Sequence, residues 1–302
     1  MALSIVAVTT IFYVFSRHGL LNALETGSQL IDTEAGPIEY RIVGDSGPVI
    51  LYFHGTPGGY DAPVKAYPGT RMLVPSRPGY LRTSLEVGRS PAEQAKALSA
   101  LLDALHIESV VAYGVSGGGP SAISFAAHYP DRTLGLISVS TISQPVDVPD
   151  DLKPPFPLQS DLVSWAAFSL LTRIAGPDQT VRTIVPDPDN QQLILADPGN
   201  ADQLVNLIWS LWPFSLREAG WKNDNRYFET MDLPSREITV PTLILHGTED
   251  FNAPFSNSEQ LAQQIPGSQL HAVQGGDHMM IFSHRQEIRS AIVNFLQSIG
   301  VE

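Results

Sequence analysis

The sequence predicts an α/β protein with a mostly parallel central sheet flanked by helices and with an inserted helical cap. Short apolar runs alternate with longer stretches of helical periodicity, which is typical of a parallel sheet covered by helices. Residues 144–237 contain no strand-like run and interrupt this alternation. The chain has 302 residues, 43% of them hydrophobic, which is enough for one large core with such an insertion.

The core is predicted from short apolar runs and from the helical patterns between them. The predicted strands are Glu39–Val43, Val49–His54, Met72–Pro75, Val110–Val115, Leu134–Val139, Thr242–His246 and Leu270–Val273. The predicted helices are Pro91–Leu105, Pro120–His128, Ser258–Gln264 and Arg285–Ile299. Pro91 and Pro120 suit the first turn of a helix, where a missing N–H costs nothing. These elements assign residues 26–143 and 238–302 to the core.

Residues 144–237 are predicted to form the cap. Prolines are dense in this section, and helical periodicity recurs in Leu162–Ile174, Gln191–Leu195 and Asp202–Leu211. All the tryptophans of the chain fall here: Trp165, Trp209, Trp212 and Trp221. Aromatic residues in such an insertion usually pack the insertion itself. The alternative is that a few of them line an apolar substrate pocket.

The composition excludes several classes of partner and site. The chain has 31 acidic and 18 basic residues, for a net charge of −13. An acidic surface repels phosphate groups, which argues against nucleic acid and anionic membrane as partners. The absence of cysteine excludes disulfides, cysteine zinc sites and a thiol nucleophile.

Residues 1–25 form a separate apolar segment. Ala2–Phe15 is nearly all apolar, but at about 1.5 Å per residue it is too short for a hydrocarbon core of roughly 30 Å. It also lacks the basic start of a signal peptide. Three interpretations stay open: a helix packed on the body or on a neighbouring chain, an interfacial membrane anchor, and an uncleaved signal anchor. We expect a cytoplasmic protein, with membrane association or a dimer contact through residues 1–20 as alternatives.

The sequence GVSGG at 114–118 matches the pattern G-x-S-x-G. It lies between a predicted strand and the helix Pro120–His128. A serine at such a junction occupies a sharp, strained turn that its flanking glycines permit. The turn raises the hydroxyl above the sheet, at a helix N-terminus that favours negative charge. Ser116 is therefore the predicted nucleophile; the alternative is an ordinary glycine-rich turn.

A serine hydroxyl needs a base, and His278 is the candidate among eight histidines. It follows the last strand in the loop QGGDH at 274–278, whereas the others lie in strands, at helix ends or in the N-terminal segment. A carboxylate must orient this base. Asp250, in the loop after the preceding strand, is the predicted acid, with Asp147 and Glu249 as alternatives.

A further turn, HGTPGG at 54–59, follows the strand Val49–His54. Its glycines let the backbone approach a substrate closely. The N–H groups of Thr56 and Gly117 are predicted to form an oxyanion hole. The alternative is a tight turn without a catalytic role.

Together these segments resemble the α/β-hydrolase superfamily, in its serine-nucleophile, carboxylesterase- and lipase-like branch. HGTPGG resembles the oxyanion turn of the family, SRPGY at 76–80 the loop after the next strand, and GVSGGGPSA at 114–122 the nucleophile elbow. HGTED at 246–250 and GGDH at 275–278 resemble the acid and base loops. The serine departs from haloalkane dehalogenases and epoxide hydrolases, whose nucleophile is aspartate. The elbow also departs from the GGSWG of proline iminopeptidases.

The resemblance implies a carboxylesterase-like serine hydrolase that needs no metal or organic cofactor. Its expected substrate is a small-molecule ester with an apolar acyl or alcohol part. Other chemistry with the same triad stays open: amidase, lactonase, C–C hydrolase, peptidase or perhydrolase activity. A hydroxynitrile-lyase-like enzyme and a non-catalytic binding protein of the same fold are alternatives from different classes.

Overall fold

A computed structural model describes residues 2–147 and 153–301. Residues 148–152, which belong to the predicted cap, lie outside the described residues, as do Met1 and Glu302.

Eight strands form one sheet, in the order β1-β2-β4-β3-β5-β6-β7-β8. The strands are β1 (Gln29–Thr33), β2 (Gly36–Val43), β3 (Val49–Phe53), β4 (Arg71–Pro75), β5 (Val110–Val115), β6 (Thr133–Val139), β7 (Thr242–Gly247) and β8 (Gln269–Val273). β2 pairs antiparallel with β1 and with β4, and the remaining pairs are parallel. The predicted α/β class, with a mostly parallel sheet flanked by helices, is confirmed.

The helices are α1 (Ala2–Thr26), α2 (Pro91–Ala104), α3 (Gly119–His128), α4 (Asp161–Phe168), α5 (Pro177–Ile184), α6 (Pro188–Leu195), α7 (Pro198–Trp209), α8 (Glu218–Thr230), α9 (Ser256–Gln264), α10 (Met280–Ser283) and α11 (Arg285–Ser298). A π-helical turn, Ser169–Ile174, continues α4. The start of α2 shows why the local sequence is helical. Ser90 and Glu93 form a reciprocal capping box there, with Pro91 in the first turn.

The core consists of two apolar layers, one on each face of the sheet. In β5, Val110 and Ala112 face the layer that contains α2 and α3, while Val111 and Tyr113 face the layer that contains α11. A strand covered on both faces is a continuous apolar run, as the β5 sequence is. The register pairs Phe53 with Gly114 and thereby brings the turn after β3 beside the turn after β5.

Between β6 and β7 the described residues form helices α4–α8 and short turns, but no strand. Two apolar clusters hold these helices together. One surrounds Val181 and Leu204 and includes Phe282, which lies outside the segment. The other joins Trp165 to Trp212, with Trp209 packed against them. These tryptophans therefore pack within the segment.

Helix α1 packs against this segment and the core along its C-terminal part. Tyr13 makes edge contacts with Trp165 and Trp212, and the Tyr60 hydroxyl donates to the Leu24 carbonyl at 2.5 Å. Several large apolar side chains of the helix are exposed: Ile11, Phe12, Val14 and Phe15. Of the helices in residues 2–147 and 153–301, none combines the length and apolar character that crossing a membrane requires.

Candidate active site

Ser116 lies at the tip of the turn between β5 and α3. Its φ of 48° is in the left-handed region, which costs energy for a residue with a side chain. The neighbouring glycines make the turn sterically possible. A Cβ on Gly118 would come within 2.1 Å of the Phe53 carbonyl oxygen, and one on Gly114 within 2.7 Å of the Ala122 Cβ. The sequence thus specifies a turn that holds the serine hydroxyl clear of the sheet.

The structure brings Ser116, His278 and Asp250 into one hydrogen-bonded chain. The Nε2 atom of His278 lies 3.1 Å from the Ser116 Oγ, and its Nδ1 lies 2.8 Å from the Asp250 Oδ2. Because a carboxylate only accepts, Nδ1 carries the proton and Nε2 accepts from the serine hydroxyl. The imidazole is therefore in the tautomer that a general base for this serine requires.

Asp250 is deeply buried, with 5% of its surface exposed. Its Oδ1 accepts from the backbone N–H groups of Asn252 and Ala253, both at 3.0 Å. Its Oδ2 faces His278 and, at 3.3 Å, the Nε2 of His246. Burial alone raises the pKa, but the hydrogen bonds from both histidines outweigh it and hold the pKa of this carboxyl well below its ordinary value. Asp250 is thus an ionised carboxylate behind His278.

The two alternative acids lie elsewhere. Glu249 and Asp147 are both exposed, and no hydrogen bond within the described part of the chain joins either side chain to a histidine. Glu249 does contribute to the loop through its backbone N–H, which donates to the Gly276 carbonyl at 3.0 Å. The geometry therefore favours Asp250 over both alternatives.

The turn after β3 lies directly beside the nucleophile turn. A Cβ on Gly117 would come within 2.2 Å of the Thr56 Oγ1, and one on Gly55 within 3.3 Å of the Ser116 Cβ. Within residues 2–147 and 153–301, no backbone or side-chain oxygen accepts from the Thr56 N–H. The Thr56 side chain thus lies against Gly117, next to Ser116, and the catalytic role of the Thr56 and Gly117 N–H groups stays a prediction.

A buried polar cluster underlies this turn. Asp224, from α8, accepts from the Arg77 Nη2 at 2.6 Å, from the Tyr80 hydroxyl at 2.5 Å and from the Thr56 hydroxyl at 2.5 Å. Arg77 and Asp224 are both almost fully buried. Burying two charges is costly unless they are paired and their other hydrogen bonds are made. This pair meets both conditions and ties α8 to the loop after β4, while the Thr56 hydroxyl ties α8 to the turn after β3.

His54 completes the support of the same turn. Its Nδ1 donates to the Gly55 carbonyl at 2.8 Å, and its Nε2 accepts from the Arg77 N–H at 2.9 Å. Burial, with the nearby charge of Arg77, holds the pKa of His54 well below its ordinary value. The ring is therefore neutral and acts as a fixed bridge between the two loops.

The sequence and the sheet match a known family. The model of the alpha/beta hydrolase family matches residues 50–291. The chain belongs to the α/β-hydrolase family. An alpha/beta hydrolase fold protein from Nakamurella multipartita has the same fold, with a TM-score of 0.78 and 30% identity over 90% of this chain and 99% of that chain.

Curated relatives of this α/β hydrolase include hydrolases of several kinds. An uncharacterized hydrolase of Bacillus subtilis is 38% identical over 41% of this chain and 44% of its own length. A poly(3-hydroxyalkanoate) depolymerase of Ectopseudomonas oleovorans is 28% identical over 67% of this chain and 66% of its own. A 2-hydroxy-6-oxononadienedioate/2-hydroxy-6-oxononatrienedioate hydrolase of Cupriavidus pinatubonensis is 25% identical over 89% of this chain and 95% of its own. The chain thus spans less than half of the first relative and about two thirds of the second.

Sequence reasoning missed two parts of the site in this α/β hydrolase. His246 looks like the end of a strand, yet its Nε2 donates to the Ala253 carbonyl at 2.7 Å and faces Asp250. A histidine followed by a glycine occurs at the end of two strands, at His54 and at His246, and this repeated pattern is a signal that could have pointed to His246. Asp224 carries no such signal, because its partners are far away in the sequence.

Proposed function

We propose that this α/β hydrolase cleaves carboxylic esters through an acyl-enzyme intermediate on Ser116. The observation that carries the proposal is the hydrogen-bonded chain from the Ser116 Oγ through His278 to Asp250. A hydroxyl is a weak nucleophile at neutral pH, and a base at hydrogen-bond distance with a carboxylate behind it activates it.

In the proposed mechanism, the Ser116 Oγ attacks the acyl carbon while the His278 Nε2 takes its proton. Asp250 stabilises the resulting imidazolium. The imidazolium then gives the proton to the leaving alcohol, and the acyl group stays on Ser116. A water molecule, deprotonated in turn by His278, attacks the acyl-enzyme and releases the acid.

The oxygen of the acyl group becomes negatively charged in both tetrahedral intermediates. We assign its stabilisation to the N–H groups of Thr56 and Gly117, since Thr56 lies against Gly117 beside Ser116 and the Thr56 N–H has no partner in the described structure. A donor fixed in place before the reaction costs no reorganisation when the charge develops.

We assign helices α4–α8 the role of a cap over this site. The supporting observation is the contact of α8 with the turn after β3, through Asp224 and Thr56 at 2.5 Å. Phe228, one helical turn further along α8, lies beside Gly117, where an added Cβ would meet its ring at 2.9 Å. An aromatic ring at this place suits a substrate with an apolar acyl or alcohol part.

Cleavage of a C–C bond in a 2-hydroxy-6-oxo acid is the second candidate. It is favoured by the relative from Cupriavidus pinatubonensis, which matches 89% of this chain. Ester cleavage has the support of the depolymerase, which matches at higher identity and whose named polymer is a polyester. The serine, base and acid serve either reaction.

Activity on a series of p-nitrophenyl esters, from acetate to palmitate, tests the proposal. The expected result is turnover that depends on acyl length and is lost in Ser116→Ala. Asn252→Ala, a change in the acid loop that keeps the Asn252 N–H, is the matched control and should retain activity. No turnover of any ester, together with hydrolysis of a 2-hydroxy-6-oxo dienoate, would overturn the proposal in favour of the second candidate.

A further inference from the structure

A cavity of about 140 Å³ lies on the α11 side of the sheet, beneath the nucleophile turn. Its floor is formed by Tyr52 of β3 and Tyr113 of β5, and its walls include Leu207 of α7 and Ile288 of α11. Val115, the residue before Ser116, also lines it. One water needs only about 10–15 Å³, so this space accommodates an organic molecule of several heavy atoms.

The cavity is positively charged in a strongly acidic protein. Lys65, Arg285 and Arg289 line it, and its described lining contains no aspartate or glutamate. None of the three cations forms an ion pair with a carboxylate of the described residues. Instead, Arg285 donates to the neutral Asn200 Oδ1 at 2.8 Å, and Arg289 lies over a tyrosine ring. Lys65 and Arg289 are exposed and Arg285 is half-buried, so the three cations form an open, positively charged rim in a chain with 31 acidic against 18 basic residues.

The two arginines also lie at the start of helix α11, where positive charges are unfavourable. Arg285 is the first residue of α11, and Arg289 follows one turn later on the same face. The N-terminal end of a helix carries a partial positive charge, and like charges four residues apart repel each other. An anion in the cavity would relieve both repulsions.

Tyr52 supplies an independent indication of a ligand. Only 8% of its surface is exposed, and no group of the described residues hydrogen-bonds to its hydroxyl, which is not fully enclosed and therefore opens into the cavity. A hydroxyl that faces an open cavity can donate its hydrogen bond to a ligand there. The neighbouring Tyr67 and Tyr113 hydroxyls are paired with each other at 3.5 Å and leave Tyr52 without a partner. The Tyr52 hydroxyl is thus a free donor on the floor of a cationic cavity.

We infer that this cavity binds the carboxylate of a small organic acid, between the Tyr52 hydroxyl and the cations of Arg285, Arg289 and Lys65. The carboxylate can belong to a free acid or to the far end of the acyl chain held at Ser116. The second source rests on the proposed ester hydrolysis, whereas the first does not.

Isothermal titration calorimetry with sodium butyrate and its neutral isostere butyramide, at constant ionic strength, tests the site. We expect butyrate to bind and butyramide not to bind. Tyr52→Phe and Arg289→Gln should each weaken butyrate binding at least fivefold. Arg182→Gln, which removes an exposed arginine that does not line the cavity, is the matched control and should bind as the wild type does. Tyr52→Phe should not lower the melting temperature without ligand, because it removes a hydroxyl that has no partner.

A pair of esters distinguishes the two sources. In Arg289→Gln, a KM raised at least fivefold for p-nitrophenyl hemiglutarate but unchanged for p-nitrophenyl valerate assigns the carboxylate to the substrate. Equal KM values for both enzymes, with butyrate binding still lost, assign it to a free acid. If neither ester is hydrolysed by the wild type, the proposed function fails while the calorimetry still tests the cavity. Butyrate binding that is absent, or that all variants share, overturns the inference.

Discussion

Replacing Asp250 by asparagine tests how the site sets the protonation of His278. The backbone N–H groups of Asn252 and Ala253 both donate to Oδ1, so the amide oxygen of an asparagine must take that position. Its NH₂ group then replaces Oδ2 and faces the His278 Nδ1, which is 2.8 Å away in the native structure. Two donors cannot share this contact, so His278 must move its proton to Nε2.

An imidazole that carries its proton on Nε2 cannot accept the proton of Ser116. The equivalent change of tautomer in a serine protease lowers kcat about 10⁴-fold. At about 1.36 kcal/mol per tenfold, this loss corresponds to about 5.4 kcal/mol of transition-state stabilisation. In this position the NH₂ group also faces the Nε2 of His246, and a rotated amide would turn its NH₂ group toward the N–H groups of Asn252 and Ala253. Neither orientation of the amide therefore restores the native hydrogen bonds.

The assay is kcat with a p-nitrophenyl ester, combined with circular dichroism to verify the fold. Glu249→Gln is the matched control, since this neighbouring carboxylate is exposed and should be dispensable. A loss of less than tenfold in folded Asp250→Asn would refute the orientation of His278 described above. A large loss in Asp147→Asn would place the acid at the other loop.

Three further results are expected. Asp224→Asn should lower the free energy of unfolding, measured in urea, by about 3–5 kcal/mol, because it leaves the buried Arg77 guanidinium without its counter-charge. Glu218→Gln, which removes an exposed ion pair of the same helix, should lower it by at most about 0.5 kcal/mol. Gly117→Ala should lower kcat on the order of 10²-fold, because its methyl group would displace the turn after β3. Gly19→Ala should leave kcat unchanged, because the added methyl group would meet nothing outside its own helix. The pKa of Asp250 is depressed in the folded state, so the stabilisation that its carboxylate provides is complete above the unfolded pKa of about 3.9 and is lost as the pH falls through the folded pKa. The difference in free energy of unfolding between wild type and Asp250→Asn should therefore be constant at neutral pH and shrink in acid.

The core of the fold is predictable because buried parallel strands leave a strong apolar signal. The strand Val110–Val115 is predicted with its observed bounds, and the other core strands within a few residues. β1 is missed, because Gln29–Thr33 is a short edge strand with mostly exposed side chains and no apolar run. Helices α5 and α8 are missed as well; α8 is rich in polar residues. Local pattern is weak where tertiary contacts, rather than burial of a whole face, decide the structure.

The candidate site likewise contains residues that the sequence predicts and residues that it does not. Ser116, Asp250 and His278 lie in short loops directly after strands, so the order of the strands predicts that they meet. The support beneath them is not predictable. Asp224 bonds to Arg77 across 147 residues of sequence, and although Arg77 lies in the SRPGY segment, nothing in that segment indicates this partner. The Tyr52 hydroxyl belongs to a strand that reads as continuous core, and only the packing around it shows that it has no partner.

The most direct measurement of the central claim is covalent labelling followed by mass spectrometry. A fluorophosphonate probe forms a stable adduct with a serine only where that serine is activated. We expect one adduct per chain of the wild type, located on the peptide that contains Ser116, and none in Ser116→Ala. Adduct formation that persists in Ser116→Ala, or that occurs on another residue of the wild type, would contradict the account.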